Sequence, residues 1–190
     1  MKCLLVDLEG VVLGSKRESY RPWLRSLGAD PSEVNKVYQK EAADLYKGAI
    51  SCSKAVRKIN DSLGINIPTR EFFKHRTDYS FVNQEVINLV KRMKKRGVRV
   101  YLLSDISECS WMLVRKKYPF LRIFNQRVLS FNTGFTKEEP EYYDYLGDRL
   151  NCKKSEMLLI DDKLENILTA KKMGLAVVHF RYNTDLTKLF

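Results

Sequence analysis

Two shapes recur in the order of apolar and polar positions. The first is a short, wholly apolar run that ends in acid or hydroxyl. Residues 3–7 (CLLVD) have it, and Gly10 breaks the pattern soon after. Residues 98–105 (VRVYLLSD) repeat it and end on Ser104 and Asp105; residues 156–162 (EMLLIDD) end on Asp161 and Asp162. A shorter run, AVVHF at 176–180, predicts a further strand. Apolar runs of this length, bounded by turn residues, read as buried strands.

The second shape is the helical stripe. Val86, Leu89, Val90 and Met93 mark one, stopped by Gly97; Leu164, Ile167 and Leu168 mark another, stopped near Gly174. Glycine just past a stripe ends a helix because it accepts the left-handed conformation of the cap. Strands alternating with helices predict an α/β fold, a Rossmann-like doubly wound parallel sheet. Ligands bind such sheets at the carboxyl ends of the strands. Asp7, Ser104, Asp105, Asp161 and Asp162 all fall at such ends.

Residues 14–82 follow a different rule, with no run that reads as a strand. Asp30-Pro31-Ser32-Glu33 predicts a helix start, with Asp as cap, Pro first and an acid in the first turn. Val34, Val37, Tyr38 and Leu45 continue it. Val56, Ile59 and Leu63 form another stripe closed by Gly64, and Thr69 is placed to cap a helix carrying Phe72 and Phe73. The expected organisation is a core of residues 1–13 and 83–190, with residues 14–82 inserted as a small all-helical cap.

Composition narrows the class. A 190-residue chain with 44% hydrophobic residues can bury a full core. No apolar run reaches the ~18 residues of a membrane span. The start, MKCLLVDLEG, puts acids right after a short apolar run, unlike a secretory signal. A cytoplasmic protein with no membrane partner is expected, working as a monomer or homodimer. Cys3, Cys52, Cys109 and Cys152 form no C-x-x-C, and only His75 and His179 could join them in a zinc site, so free thiols are expected. The net charge of +11 favours an anionic ligand. Its cations are spread out, with modest clusters at 91–96 and 115–117 and no nucleic-acid motif, so a small phosphorylated metabolite is expected rather than nucleic acid.

Each chemical signal has a bland alternative when taken alone. Asp7 and Glu9 at a strand end can serve as nucleophile and general acid/base, or they can be an acidic surface turn. Asp161-Asp162 calls for a divalent cation such as magnesium, which prefers oxygen ligands, or marks a helix N-terminus. Ser104 can hold phosphate oxygens or cap a helix. Lys137 can neutralise a carboxylate and a phosphate, or be an ordinary solvated lysine.

Taken in order, these signals resemble the haloacid dehalogenase superfamily over nearly the whole chain. LLVDLEGVV is similar to its first motif, VYLLSD to its second, GFTKEEPEYY to its third and LLIDDKLEN to its fourth. LYKGAIS in the insert resembles the helical caps of the glucose-1-phosphatase-like and epoxide-hydrolase-lobe branch. The resemblance implies a magnesium-dependent phosphatase in which Asp7 forms an aspartyl-phosphate. Asp7, the Glu9 carbonyl, Asp162 and Asp161 would surround the ion. Glu9 would move protons, Ser104, Asp105 and Lys137 would line the phosphate, and Asn166 would orient the last acidic loop. Glu9 replaces the usual second Asp of the first motif, as in the enolase-phosphatases of methionine salvage, and Asp105 stands where relatives often have Asn. Carbon–halogen hydrolysis by the same nucleophile and a non-catalytic phospholigand-binding role are the alternatives. Lys16, Arg17, Tyr20, Arg21 and Lys47 of the insert are candidates to face the substrate.

Overall fold

The computed structural model describes residues 1–14, 19–79, 81–182, 184 and 186. The apolar runs form β1 (Cys3–Asp7), β2 (Arg99–Ser104), β4 (Met157–Asp161) and β5 (Ala176–His179), and a further strand, β3 (Gln126–Leu129), lies between β2 and β4 in the chain. They pair in the order β3-β2-β1-β4-β5, every pair parallel. This is the doubly wound α/β sheet that the alternating pattern predicts. The winding reverses at β1, the switch point where such sheets open a crevice.

β3 was not expected from the sequence. It is a four-residue edge strand whose first two residues are exposed, so only Val128 and Leu129 carry an apolar signal.

Alternation along the strands divides the core into two faces. Leu4, Val6, Leu158 and Ile160 join one apolar cluster; Cys3, Leu5, Met157 and Leu159 join the other. Burying each such aliphatic side chain stabilises the fold by roughly 1.5–3 kcal/mol.

Between Leu13 and Val82 the chain leaves the sheet and returns as two adjacent segments. Gly14 N–H donates to the Phe81 carbonyl at 2.9 Å, and Asn83 N–H donates to the Val12 carbonyl at 2.9 Å. Beyond this crossing stand α1 (Tyr20–Ser26), α2 (Pro31–Tyr46), α3 (Cys52–Leu63) and α4 (Thr69–Arg76). Their buried residues make a cluster of their own, including Leu24, Val34, Tyr38, Leu45, Val56, Ile59, Phe72 and Phe73. Asp30 caps α2 as predicted, accepting from Ser32 N–H at 2.6 Å. Pro68, not Thr69, is the cap of α4, and Thr69 begins the helix.

The remaining helices cover the sheet. α5 (Gln84–Lys95) and α6 (Glu108–Lys117) pack on the first face; α7 (Ser130–Thr133) is a single turn after β3. α8 (Pro140–Leu150) and α9 (Leu164–Lys172) follow, with Tyr142, Tyr143, Leu146 and Ala170 on the second face.

Two expectations need correction. Of the stripe Leu164, Ile167 and Leu168 on α9, Ile167 is buried, but Leu164 is 49% and Leu168 57% exposed. The buried side carries Asn166, Ile167 and Ala170, because a polar residue is turned inward to serve the site below. The cysteines are not free thiols. Cys3 is bonded to Cys152 and Cys52 to Cys109. Their partners lie 149 and 57 residues apart, beyond the reach of any spacing motif. As for membranes, no helix among the described residues is long and apolar enough to cross one.

Candidate active site

Register brings the chemistry to one place. Asp7 pairs with Leu103 of β2, and Val6 pairs with Ile160 of β4. The residues that follow those partners, Ser104 and Asp161, therefore flank Asp7 at the carboxyl ends of three adjacent strands. Alternation sets Asp7 and Asp161 on the face covered by α8. The loop that enters α8 carries Lys137, only 2% exposed. Its Nζ donates to Asp7 Oδ1 at 2.6 Å and to Asp161 Oδ2 at 2.5 Å.

A second layer of contacts fixes that lysine. Its backbone N–H donates to the two Asp105 carboxylate oxygens at 3.2 and 3.3 Å. The Tyr143 hydroxyl donates to the Lys137 carbonyl at 2.8 Å and reaches the Asn166 carbonyl at 3.2 Å. Asn166 in turn donates its amide to Asp161 at 3.0 and 3.1 Å, and Lys163 N–H donates to Asp161 Oδ1 at 2.9 Å. Asn166 thus holds Asp161 from below, as the resemblance implied. Asp105 spends its carboxylate on the Lys137 backbone. Tyr143 was missed from the sequence, where it reads only as one more apolar position of α8.

Charge in the site is unbalanced. One carboxylate oxygen from each of Asp7, Asp161 and Asp162 lies within 4.8 Å of the others. Burial, together with Asp161 and Asp162, pushes Asp7 well above the ordinary aspartate range despite the Lys137 ammonium. Burial and the neighbouring Asp161 also raise Asp162, and burial raises Asp105. Burial alone would pull Lys137 down, but the attraction of Asp7, Asp161 and Asp105 outweighs it and holds the ammonium well above its usual value. Lys137 therefore stays charged, and one positive charge faces several buried acids.

The residues fit a divalent cation. The donors are all hard oxygens, the set that magnesium takes. Among the described residues, nothing hydrogen bonds the buried Asp162 Oδ1. Gly10 makes the close approach possible: at φ 86°, a Cβ there would sit 2.0 Å from Asp162 Oδ2. Glu9 stays outside the three-aspartate group, half-buried, with the Tyr79 hydroxyl 3.5 Å from its Oε2.

The insert candidates are distributed differently. Tyr20 is not at an open surface but 7% exposed in the insert's apolar cluster, and its hydroxyl accepts from Arg76 at 3.3 Å. Lys47 reaches the core, pairing with Glu139 at 2.6 Å two residues beyond Lys137. Arg21 is exposed. Lys16 and Arg17 lie outside the described residues.

A family model of haloacid dehalogenase-like hydrolases matches residues 1–174. The chain belongs to that family. It is therefore a haloacid dehalogenase-like hydrolase. A sesquiterpene phosphatase of Aspergillus oryzae is 23% identical, over 70% of this chain and 68% of that protein. A D-ribitol-5-phosphate phosphatase of Bacteroides thetaiotaomicron is 25% identical, over 92% of this chain and 89% of that one. Against the bifunctional epoxide hydrolase 2 of Rattus norvegicus the chain spans only 24% of the relative's length. A haloacid dehalogenase family enzyme of Bacteroides thetaiotaomicron, solved in complex with magnesium and inorganic phosphate, superposes with a TM-score of 0.86. That likeness covers 100% of this chain and 99% of the other at 22% identity, and so speaks for the fold.

Proposed function

We propose that this hydrolase is a magnesium-dependent phosphatase that cleaves a small phosphate monoester, such as a sugar phosphate, through an aspartyl-phosphate on Asp7. The observation that carries the reading is the buried group of Asp7, Asp161 and Asp162 joined by Lys137. It leaves an excess of negative charge that a divalent cation would offset, which lets a phosphate approach Asp7. The phosphatase relatives support the reading, above all the ribitol-5-phosphate phosphatase, which the chain matches over nearly its whole length.

Asp7, Asp162 and the Glu9 carbonyl would hold the ion, with Asp161 binding directly or through a water. Magnesium, when bound, supplies charge neutralisation between Asp7 and the incoming phosphate. The remaining work belongs to the chain. An Asp7 oxygen attacks phosphorus in line, the bond to the ester oxygen breaks, and Glu9 gives that oxygen its proton. Water then attacks the aspartyl-phosphate, Glu9 takes the proton back, and inorganic phosphate leaves. Lys137 and Ser104 hold the transferring phosphoryl group, the main catalytic contribution in phosphoryl transfer. Residues 14–82 act as a cap that shields the reaction from bulk water.

Replacing Asp7→Asn should bring magnesium-dependent hydrolysis of p-nitrophenyl phosphate to background, and EDTA should do the same to the native enzyme. Full activity in the variant would refute the nucleophile. Release of halide from a haloacid, insensitive to EDTA, would move the assignment to carbon–halogen hydrolysis.

A further inference from the structure

The two disulfides do different jobs. Cys3–Cys152 ties β1 to the turn after α8, and both residues are buried within one face of the sheet, Cys3 at 0% and Cys152 at 6% exposure. Cys52–Cys109 crosses between units: Cys52 opens α3 of the insert, and Cys109 lies in α6 of the core. Among the described residues it is the one covalent link between insert and core besides the two chain crossings. The other ties include the ion pairs Lys47–Glu139 and Lys117–Asp78, at 2.6 and 3.0 Å. Exposed or partly exposed pairs of this kind contribute little rigidity.

We propose that Cys52–Cys109 is a redox-modification site that fixes the helical insert against the core until a dithiol reductant opens it. Both sulfurs sit in the first turn of a helix. Cys52 directly follows the cap Ser51 of α3, and Cys109 is the second residue of α6 after the cap Ser107. Helix N-termini stabilise thiolates, and a thiol of lowered pKa leaves faster from a disulfide. α3 has no acid in its first turn, whereas α6 has Glu108 there, which makes Cys52 the better leaving group. Cys109 is the more exposed residue of the two: it is half-buried and Cys52 is 7% exposed.

Access and leaving ability therefore point the same way. One thiolate of the dithiol attacks Cys109 Sγ. The Cys52–Cys109 bond breaks, a mixed disulfide forms, and Cys52 departs as a thiolate and takes a proton. The second thiol of the reductant, once deprotonated, closes on the first and expels Cys109. The reductant loses two electrons, and the protein gains two thiols.

The helix that carries Cys109 begins shortly after Ser104 and Asp105, so the bridge anchors the insert beside the candidate site. Its effect on turnover rests on the phosphatase reading; its effect on the insert's freedom does not.

The test compares full-length protein oxidised with glutathione disulfide and reduced with dithiothreitol, by hydrogen–deuterium exchange in the crossing segments. The Gly14 and Asn83 amides, bonded across the crossing, should exchange about tenfold faster after reduction, within the usual range of coupling between distant sites. Cys52→Ser and Cys109→Ser should exchange at the reduced rate under both conditions, while Cys3→Ser keeps the response. Equal exchange in oxidised and reduced native protein, or a response that survives in both bridge variants, would overturn the proposal. Hydrolysis of p-nitrophenyl phosphate, measured alongside, should be several-fold faster in the reduced form. Equal rates in the two forms would overturn the regulatory half. Hydrolysis by neither form would count against the phosphatase reading and leave the bridge standing.

Discussion

Core and insert each draw a cation inward, Lys137 buried and Arg76 half-buried, and they stabilise it by different means. In the core, Lys137 lies among carboxylates, with Asp7 and Asp161 at 2.6 and 2.5 Å and Asp105 on its backbone N–H. In the insert, Arg76 stacks over Tyr38 at 3.8 Å from the ring centroid, with Tyr20 at 5.2 Å and Phe72 at 5.6 Å. Aromatic faces offer a cation a fixed quadrupole that neither takes up nor releases protons. Such a nest suits a residue that joins three of the insert's helices, α1, α2 and α4. Carboxylates in excess of their ammonium suit a residue whose surroundings await further positive charge. Burial of a charge is thus no sign of function by itself; what neutralises it is.

The sharpest way to break this contrast is to remove each cation in turn. Lys137→Ala should lower kcat/KM for p-nitrophenyl phosphate by about a thousandfold, the scale of losing a preorganised charge at a phosphoryl group. Steady-state kinetics at saturating magnesium would show it. A loss below about tenfold would mean that Lys137 is a strut between acids and takes no part in the chemistry.

Arg76→Met should do the opposite. It removes three ring contacts and the hydrogen bond to Tyr20, at about 3 kcal/mol of stability. For a chain of this size that corresponds to roughly 6–12 °C in Tm. Under conditions where the variant is folded, kcat should stay within about threefold of native. Calorimetry and kinetics on the same sample decide it. A large fall in kcat with an unchanged Tm would place Arg76 in the site and erase the distinction between the two cations.

The same contrast explains what could be read from the amino-acid order. The core's strands end in acid or hydroxyl at the point where the chain turns, so apolar runs alone locate Asp7, Ser104, Asp105, Asp161 and Asp162. Parallel pairing does the rest, because a one-residue step past Leu103 or Ile160 lands on Ser104 or Asp161. Lys137 is in no strand, and only its place in a familiar order of motifs singled it out. Tyr20 shows where reading stops. A tyrosine near cations suggests a binding surface, but the partner that draws it inward, Arg76, lies 56 residues away. Leu164 and Leu168 depart from the apolar pattern for a related reason: of their stripe only Ile167 faces inward, while the helix turns Asn166 in beside it to hold Asp161. Cys52 and Cys109 share no local pattern, and only the packing of α3 near α6 joins them.

The finest test asks how much the layer behind Lys137 matters. Tyr143 is a buried phenol whose hydroxyl touches the Lys137 and Asn166 carbonyls, and burial holds its pKa well above the ordinary tyrosine value, so it remains a donor. Tyr143→Phe keeps the ring and its packing on the second face of the sheet and removes only that donor. Two carbonyls lose a partner, at about 1 kcal/mol of stability, or roughly 2–4 °C in Tm. If the hydroxyl also aims Lys137, kcat should fall about tenfold with KM little changed, because a misdirected ammonium costs most when charge builds up in the transition state. A tyrosine that only fills space would give the same small loss of Tm with kcat intact, and the kcat-against-KM split separates the two.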